Sequence, residues 1–184
     1  MELMDYVVRV ENVISNELCD ELIHKFEENS YQYEDISQSS ADFSQIDILR
    51  YRTTWGNNSD ELLGVFKDKL QEYKKKVGIV QGMWPREMKF ENIRIKRYLP
   101  NDKDEFRPHV DVTSLENARR FLVFFLYLDD NKGGHTSFPL ENKASPCAKG
   151  SLLMFPPMWP WLHAGTKPID KPKYIIGSYL HYVN

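Results

Sequence analysis

Arg107-Pro108-His109-Val110-Asp111 is the stretch on which the reading of this chain turns. Pro108 biases Arg107 away from helical backbone, which favours an extended segment. In extended backbone, positions i and i+2 project to the same side. The His109 imidazole and the Asp111 carboxylate therefore converge on one point. Such a pair is either part of a metal site or a solvated surface pair, and the spacing alone does not choose. A third donor would. His163, in Trp161-Leu162-His163-Ala164-Gly165, is the best candidate, because it precedes a later strand that could lie beside the first.

Outward from this stretch the pattern is that of short strands. Phe90 to Tyr98 alternates with period two and reads as one strand. Further strands are expected at Phe121–Leu128, Thr136–Pro139, Ser151–Phe155 and Tyr174–Tyr182. Turn signals separate them: Asn131-Lys132-Gly133-Gly134, Lys149-Gly150 and Pro156-Pro157. Upstream, a short strand is expected at Tyr6–Val10. Ser15 is a good N-cap for a first helix, with Leu18, Leu22, Ile23 and Phe26 at helical spacing and Cys19 packed among them. Asn29 to Ser44 is polar and Ser-rich and reads as a long loop, a lid or a disordered excursion. A second helix is expected from Ser59, with Leu62, Leu63, Phe66, Leu70 and Tyr73 as its buried stripe and Lys74-Lys75-Lys76 at its C-terminal end. Helices followed by many short strands predict a mainly β (α+β) fold, a double-stranded β-helix or jelly roll with N-terminal helices packed outside.

The chain has 184 residues, enough for one domain with a real core. We expect a single domain over 1–184, with helical support and a possible lid over 1–85 and the jelly-roll core over 86–184. Lys and Arg number 24 against 27 Asp and Glu, a net charge of -3, which argues against a general nucleic-acid partner. No apolar run is long enough to span a bilayer, and no basic leader precedes the first strand, so neither membrane nor secretion is expected. Two cysteines make no disulfide framework and fit a reducing, cytoplasmic setting.

Two histidines and a carboxylate leave three coordination positions open, the arrangement of non-haem Fe(II) oxygenases. A zinc hydrolase could use the same donors, and a jelly roll could also serve as a non-redox, metal-binding or ligand-binding module. Lys173, ten residues after His163, favours the first reading. A cation buried beside a metal needs an anionic partner, and the distal carboxylate of 2-oxoglutarate would be one. Phe124, Leu126, Leu153 and Phe155 are candidates for the cavity wall, or for ordinary core.

Taken together, these residues resemble the 2-oxoglutarate- and Fe(II)-dependent dioxygenases of the prolyl 4-hydroxylase-like type. The resemblance runs from about Ile46 onward. It implies that His109, Asp111 and His163 hold Fe(II) and are catalytic, and that Lys173 pairs with the 2-oxoglutarate C5 carboxylate. Tyr98 would hydrogen-bond the same group. Gly133-Gly134-His135-Thr136-Ser137-Phe138-Pro139 is similar to a family Gly-Gly-Glu-Thr-x-Phe-Pro stretch and makes Thr136 a further co-substrate contact. On the substrate side, Arg52-Thr53-Thr54 resembles an Arg-Thr-Ser stretch, and Arg120 and Tyr179-Leu180-His181 resemble peptide-binding positions. This implies substrate contacts for Arg52, Thr54, Arg120, Tyr179 and His181. The departures are Thr54 for Ser, Tyr179 for Trp, His135 for Glu, and Phe106 where the hydroxylases usually carry Tyr. The implied co-substrates are 2-oxoglutarate and O2, with ascorbate as reductant. The implied reaction hydroxylates a substrate C–H bond, peptidyl proline first, in a peptide or protein that can be proline-rich, and releases succinate and CO2. The alternative substrates are a free amino acid, a small metabolite or another protein side chain.

Overall fold

The computed structural model describes residues 2–183. Among them the chain forms two α-helices and twelve strands. In chain order these are β1 (Val8–Val10), α1 (Asn16–Glu28), β2 (Glu34–Gln38), β3 (Ala41–Asp47), α2 (Arg52–Val77), β4 (Met88–Phe90), β5 (Arg94–Tyr98), β6 (Glu105–His109), β7 (Arg120–Tyr127), β8 (Thr136–Phe138), β9 (Lys143–Ser145), β10 (Leu152–Phe155), β11 (His163–Gly165) and β12 (Lys173–Tyr182). The strands run in the order β1-β10-β7-β12-β5-β3-β6-β11-β8-β9, with β2 added on β3 and β4 on β12. Every pairing is antiparallel. This is the expected mainly β jelly roll with the helices outside.

Strand alternation sorts the side chains into two cores. On β12, Tyr174, Ile176 and Leu180 join the helix-side core with Phe26, Trp55 and Phe66, while Ile175 and Tyr179 face the interior of the roll. On β7 the helix side takes Leu122, Phe124 and Leu126, and the interior takes Val123, Phe125 and Tyr127. Phe124 and Leu126 are therefore not cavity wall, as the sequence reading allowed; β7 is apolar on both faces, so its parity could not be read. Leu153 and Phe155 do face inward.

Helix α1 starts where its cap predicts, with the Ser15 hydroxyl accepting from the Leu18 N–H at 3.1 Å. Cys19 is packed among its buried residues. Helix α2 starts at Arg52, well before Ser59, because its first turns bury polar residues that find partners on other elements. Trp55 Nε1 donates to Gln32 Oε1 at 2.8 Å, and Asn58 bonds both Lys25 and Glu21 of α1, at 2.7 and 3.1 Å. Gly78, at φ +75°, ends the helix in the left-handed conformation.

The expected loop over Asn29–Ser44 is instead largely the β2–β3 hairpin. Ala41, Phe43 and Gln45 alternate inward, and the polar faces hydrogen-bond across the pair, Ser37 to Asp42 at 2.8 Å and Ser44 to Asp35 at 2.7 Å. Cross-strand polar pairs stabilise a strand that a hydropathy pattern misses. β3 pairs with both β5 and β6 and so closes the roll between the two halves. The single strand expected over Phe90–Tyr98 is split, because the backbone leaves the ladder at 91–93, where the Ser178 hydroxyl donates to the Glu91 carbonyl. Tyr6 lies in a 3-10 turn before β1 rather than in it.

Candidate metal centre and its cavity

β6 ends on His109, and the Asp111 N–H then donates to the Pro157 carbonyl at 2.9 Å. β11 starts on His163, paired directly with His109 across the ladder. Residues 54 positions apart in sequence thus come together, with ring centres 4.3 Å apart. His109 Nε2 lies 3.5 Å from Asp111 Oδ1, and His163 Nε2 lies 3.4 Å from Asp111 Oδ2. All three donor atoms are within 4.8 Å of one another.

The hydrogen bonds behind the rings set their tautomers. His109 Nδ1 is 2.7 Å from the Arg107 carbonyl, and His163 Nδ1 is 3.1 Å from the Trp161 carbonyl. A carbonyl only accepts, so each Nδ1 carries the proton and each Nε2 offers a lone pair to the centre. Asp111 Oδ2 and His163 Nε2 are buried without a hydrogen-bond partner. Orphaned acceptors facing one another in a dry site are unfavourable unless a cation lies between them. The donor set therefore fits a divalent metal of the Fe(II) class. Burial opposes charge on Asp111, but His109 and His163, where their Nε2 carry a proton in the metal-free site, and the Tyr179 hydroxyl hold its carboxyl below the ordinary value. Burial pushes His163 down, towards the neutral form that a metal needs.

Tyr179 was expected at the substrate, but the structure turns it towards a metal ligand. Its hydroxyl donates to Asp111 Oδ1 at 2.8 Å. The Arg120 guanidinium lies 4.3 Å from the centre of the Tyr179 ring, and its fork is occupied by two bonds of 2.9 Å to Glu91. Arg120 still borders the outer cleft. Arg52 and Thr54 are not brought to the cavity. They lie in the first turn of α2, where Arg52 pairs with Asp60 at 3.0 Å and Thr54 accepts from Gln32 at 3.3 Å. His181 sits past a register shift at the end of β12, half-exposed, with Nδ1 on the Tyr182 carbonyl.

Lys173, Tyr98 and Thr136 do line one enclosed cavity with the three metal-ligand candidates. Lys173 pairs with Tyr98 across the β12–β5 ladder, and its ammonium lies 5.1 Å from the Tyr98 ring and 5.9 Å from the Tyr127 ring. It is 2 % exposed and has no ion-pair partner among the described residues. Burial lowers its pKa to about 8. Gly134, at φ +62°, leaves room for this side chain, since an added Cβ would lie 3.0 Å from Lys173 Cδ. An unpaired buried ammonium beside a metal-binding triad fits a dicarboxylate that chelates at one end and pairs at the other. Burial pushes the Tyr98 phenol up, which keeps it a donor. The Thr136 hydroxyl is bonded to the Tyr127 hydroxyl at 2.6 Å.

The sequence reading missed several residues of this site, Ile175 of its wall among them. Tyr127 orients Thr136, Glu91 holds Arg120, Phe125 forms wall, and Lys96 lines the cavity. Only Lys96 left a signal, since it shares the β5 face with Tyr98 by simple alternation. An outer cleft of about 610 Å³ opens above the site, bordered by the β2–β3 hairpin, Arg94, Lys96, Arg120, His109 and Asp111.

Residues 93–181 match the family model described as the 2OG-Fe(II) oxygenase superfamily. No curated protein sequence matches the chain. Solved structures share its fold. The viral collagen prolyl hydroxylase of Paramecium Bursaria Chlorella virus-1, in its 2OG complex, is 19 % identical with a TM-score of 0.71, over 97 % of both chains. A Pseudomonas putida prolyl-4-hydroxylase is 14 % identical with a TM-score of 0.71, over 97 % of this chain and 94 % of that one. A Trichoplax adhaerens prolyl hydroxylase, in complex with a hypoxia inducible factor peptide fragment, is 14 % identical with a TM-score of 0.71, over 96 % and 84 %. The matched segment carries the His109–Asp111–His163 cluster and Lys173; over it the chain is similar to the 2OG-Fe(II) oxygenase superfamily, and its fold is the one that the solved prolyl hydroxylases share.

Proposed function

We propose that the chain hydroxylates a C–H bond of a peptide substrate, peptidyl proline first, and releases succinate and CO2. One observation carries this reading: the metal-binding triad and an unpaired buried lysine line a single cavity, and that cavity meets an open cleft. Bound iron, with 2-oxoglutarate and O2, supplies the oxidising chemistry that side chains lack. His109, Asp111 and His163 hold the metal. Lys173, Tyr98 and Thr136 anchor the co-substrate's far carboxylate. Tyr179 orients Asp111, and Phe106, Phe125 and Ile175 keep bulk water from the cavity.

The cleft supports a peptide, because it is open and flanked by a hairpin edge that an extended chain could follow. The prolyl hydroxylases that share the fold point the same way, one of them being seen with a peptide. Ascorbate would serve as reductant in uncoupled cycles. The two free, buried cysteines suit the cytoplasm, and the net charge of -3 suits neither nucleic acid nor an anionic membrane as partner.

The test supplies Fe(II), ascorbate and 2-oxoglutarate and measures succinate, with His109→Ala as control. A proline-containing peptide array is then read for the mass gain of one oxygen. Succinate from the wild type alone is expected. Equal turnover by the variant would defeat the site assignment, and oxygen gain only on non-proline substrates would defeat the prolyl reading.

A further inference from the structure

Lys96 is the second amine of the cavity, and neither the metal nor the co-substrate anchor engages it. Ile93, just before β5, and Ile95 on it point into the helix-side core, and β5 ties Arg97 to Glu27 at 2.9 Å. Alternation then turns Arg94, Lys96 and Tyr98 towards the inside of the roll. Tyr98 lines the enclosed cavity, Arg94 borders the outer cleft, and Lys96 borders both. Its ammonium stands where the two spaces meet. It lies 4.7 Å from the centre of the Phe43 ring and 5.5 Å from that of Phe106, and Phe106 stacks on His109 with centres 3.8 Å apart. No ion pair forms to Lys96 among the described residues, and the acid that acts on it is Asp111, a candidate metal ligand.

Charge balance sharpens the point. With a divalent metal bound, Asp111, Lys96 and Lys173 leave the walls with three net positive charges. A dianionic co-substrate cancels two. Its ends are already accounted for, one by the metal and one by Lys173, which faces Tyr98 two residues further along β5. One positive charge remains, at the junction where a substrate must enter. A half-buried ammonium held over two aromatic faces retains strong affinity for an anion, because little water competes there.

We propose that Lys96 binds a carboxylate of the prime substrate, next to the carbon that reacts. The proposal rests on the oxygenase reading and narrows its substrate class. The carboxylate belongs either to a free amino acid or to an acidic residue of a peptide. Arg94, on the same face one step outward, would draw the same charge into the cleft.

The experiment uses the whole chain loaded with Mn(II), a redox-inactive substitute, and titrates it with 2-oxoglutarate by calorimetry before any probe is added. Failure at that first step breaks the underlying reading and is seen separately. Two matched pairs are then titrated: L-proline against L-prolinamide, and acetyl-Ala-Asp-Pro-Ala-amide against its Asp-to-Asn analogue. The acid of one pair is expected to bind about tenfold or more tighter than its amide. The pair that shows the preference identifies the source. Lys96→Met is expected to abolish the preference and to leave 2-oxoglutarate affinity within about twofold. Equal affinity of acid and amide in both pairs, or no binding of any probe, overturns the proposal. So does a variant that loses 2-oxoglutarate instead. If Lys96→Met does not fold, the acid–amide comparison on the wild type decides.

Discussion

The Tyr179 hydroxyl donates to Asp111 across 2.8 Å, from a strand that does not pair with the one leading into the candidate metal ligands. The bond ties one wall of the roll to the other at the candidate metal centre. Partners that orient a ligand typically set metal affinity by about 10–100-fold. Tyr179→Phe is therefore expected to weaken Mn(II) binding about tenfold while the chain stays folded, as titration with circular dichroism would show. Unchanged affinity would mean that Asp111 needs no such tether.

Lys173 tests the other end of the site. Lys173→Met removes the cation that pairs with Tyr98 across the ladder. A buried charge-assisted contact is worth about 1.5–3 kcal/mol, so the dissociation constant for 2-oxoglutarate is expected to rise about 10–100-fold. Metal binding in the absence of 2-oxoglutarate should not weaken, and calorimetry would separate the two.

The same lysine gives the co-substrate a pH dependence. Burial lowers its pKa to about 8, so the ammonium is complete below that pH and is lost as pH rises through it. Affinity for 2-oxoglutarate is expected to be flat below that pKa, then to fall by up to about tenfold per unit above it. Lys173→Met should abolish this dependence. A rise in affinity with pH would reverse the assigned sign.

Neighbours on β7 separate core from cavity. Phe124 is fully buried against Phe66 and Phe90 on the helix side, with ring centres 5.3 and 5.1 Å away. Phe124→Ala is expected to cost about 3–5 kcal/mol in urea unfolding. Phe125 is half-buried and borders the cavity. Phe125→Ala should cost less and should instead raise uncoupled 2-oxoglutarate consumption, since it opens the wall to water.

Arg52 checks a position that the resemblance puts at the substrate and that lies on α2, outside the cavity lining. Its partner Asp60 is exposed, and such pairs are worth about 0–1 kcal/mol. Arg52→Ala is expected to leave succinate formation, Mn(II) affinity and stability nearly unchanged.

Short-range rules made much of this chain legible. The Ser15 cap, the stripe Leu62–Phe66–Leu70–Tyr73 and the i, i+2 spacing of His109 and Asp111 each depend on a few adjacent residues, and each is seen in the structure. Lys173 is singled out by its place ten residues after His163 and by the resemblance, and its burial then appears in the structure. What failed depended on distant partners. The polar strand Ala41–Asp47 exists because β2, β5 and β6 supply its hydrogen bonds, and α2 begins early because α1 satisfies Asn58.

The local order of side chains was enough to point to a mainly β chain, three candidate metal donors and a lysine. Tertiary structure alone decided which faces of two-sided apolar strands look inward, that Tyr179 meets Asp111, and that Lys96 stands between cavity and cleft. Strand register and sheet closure are set by pairings between residues tens of positions apart, and no local pattern encodes them.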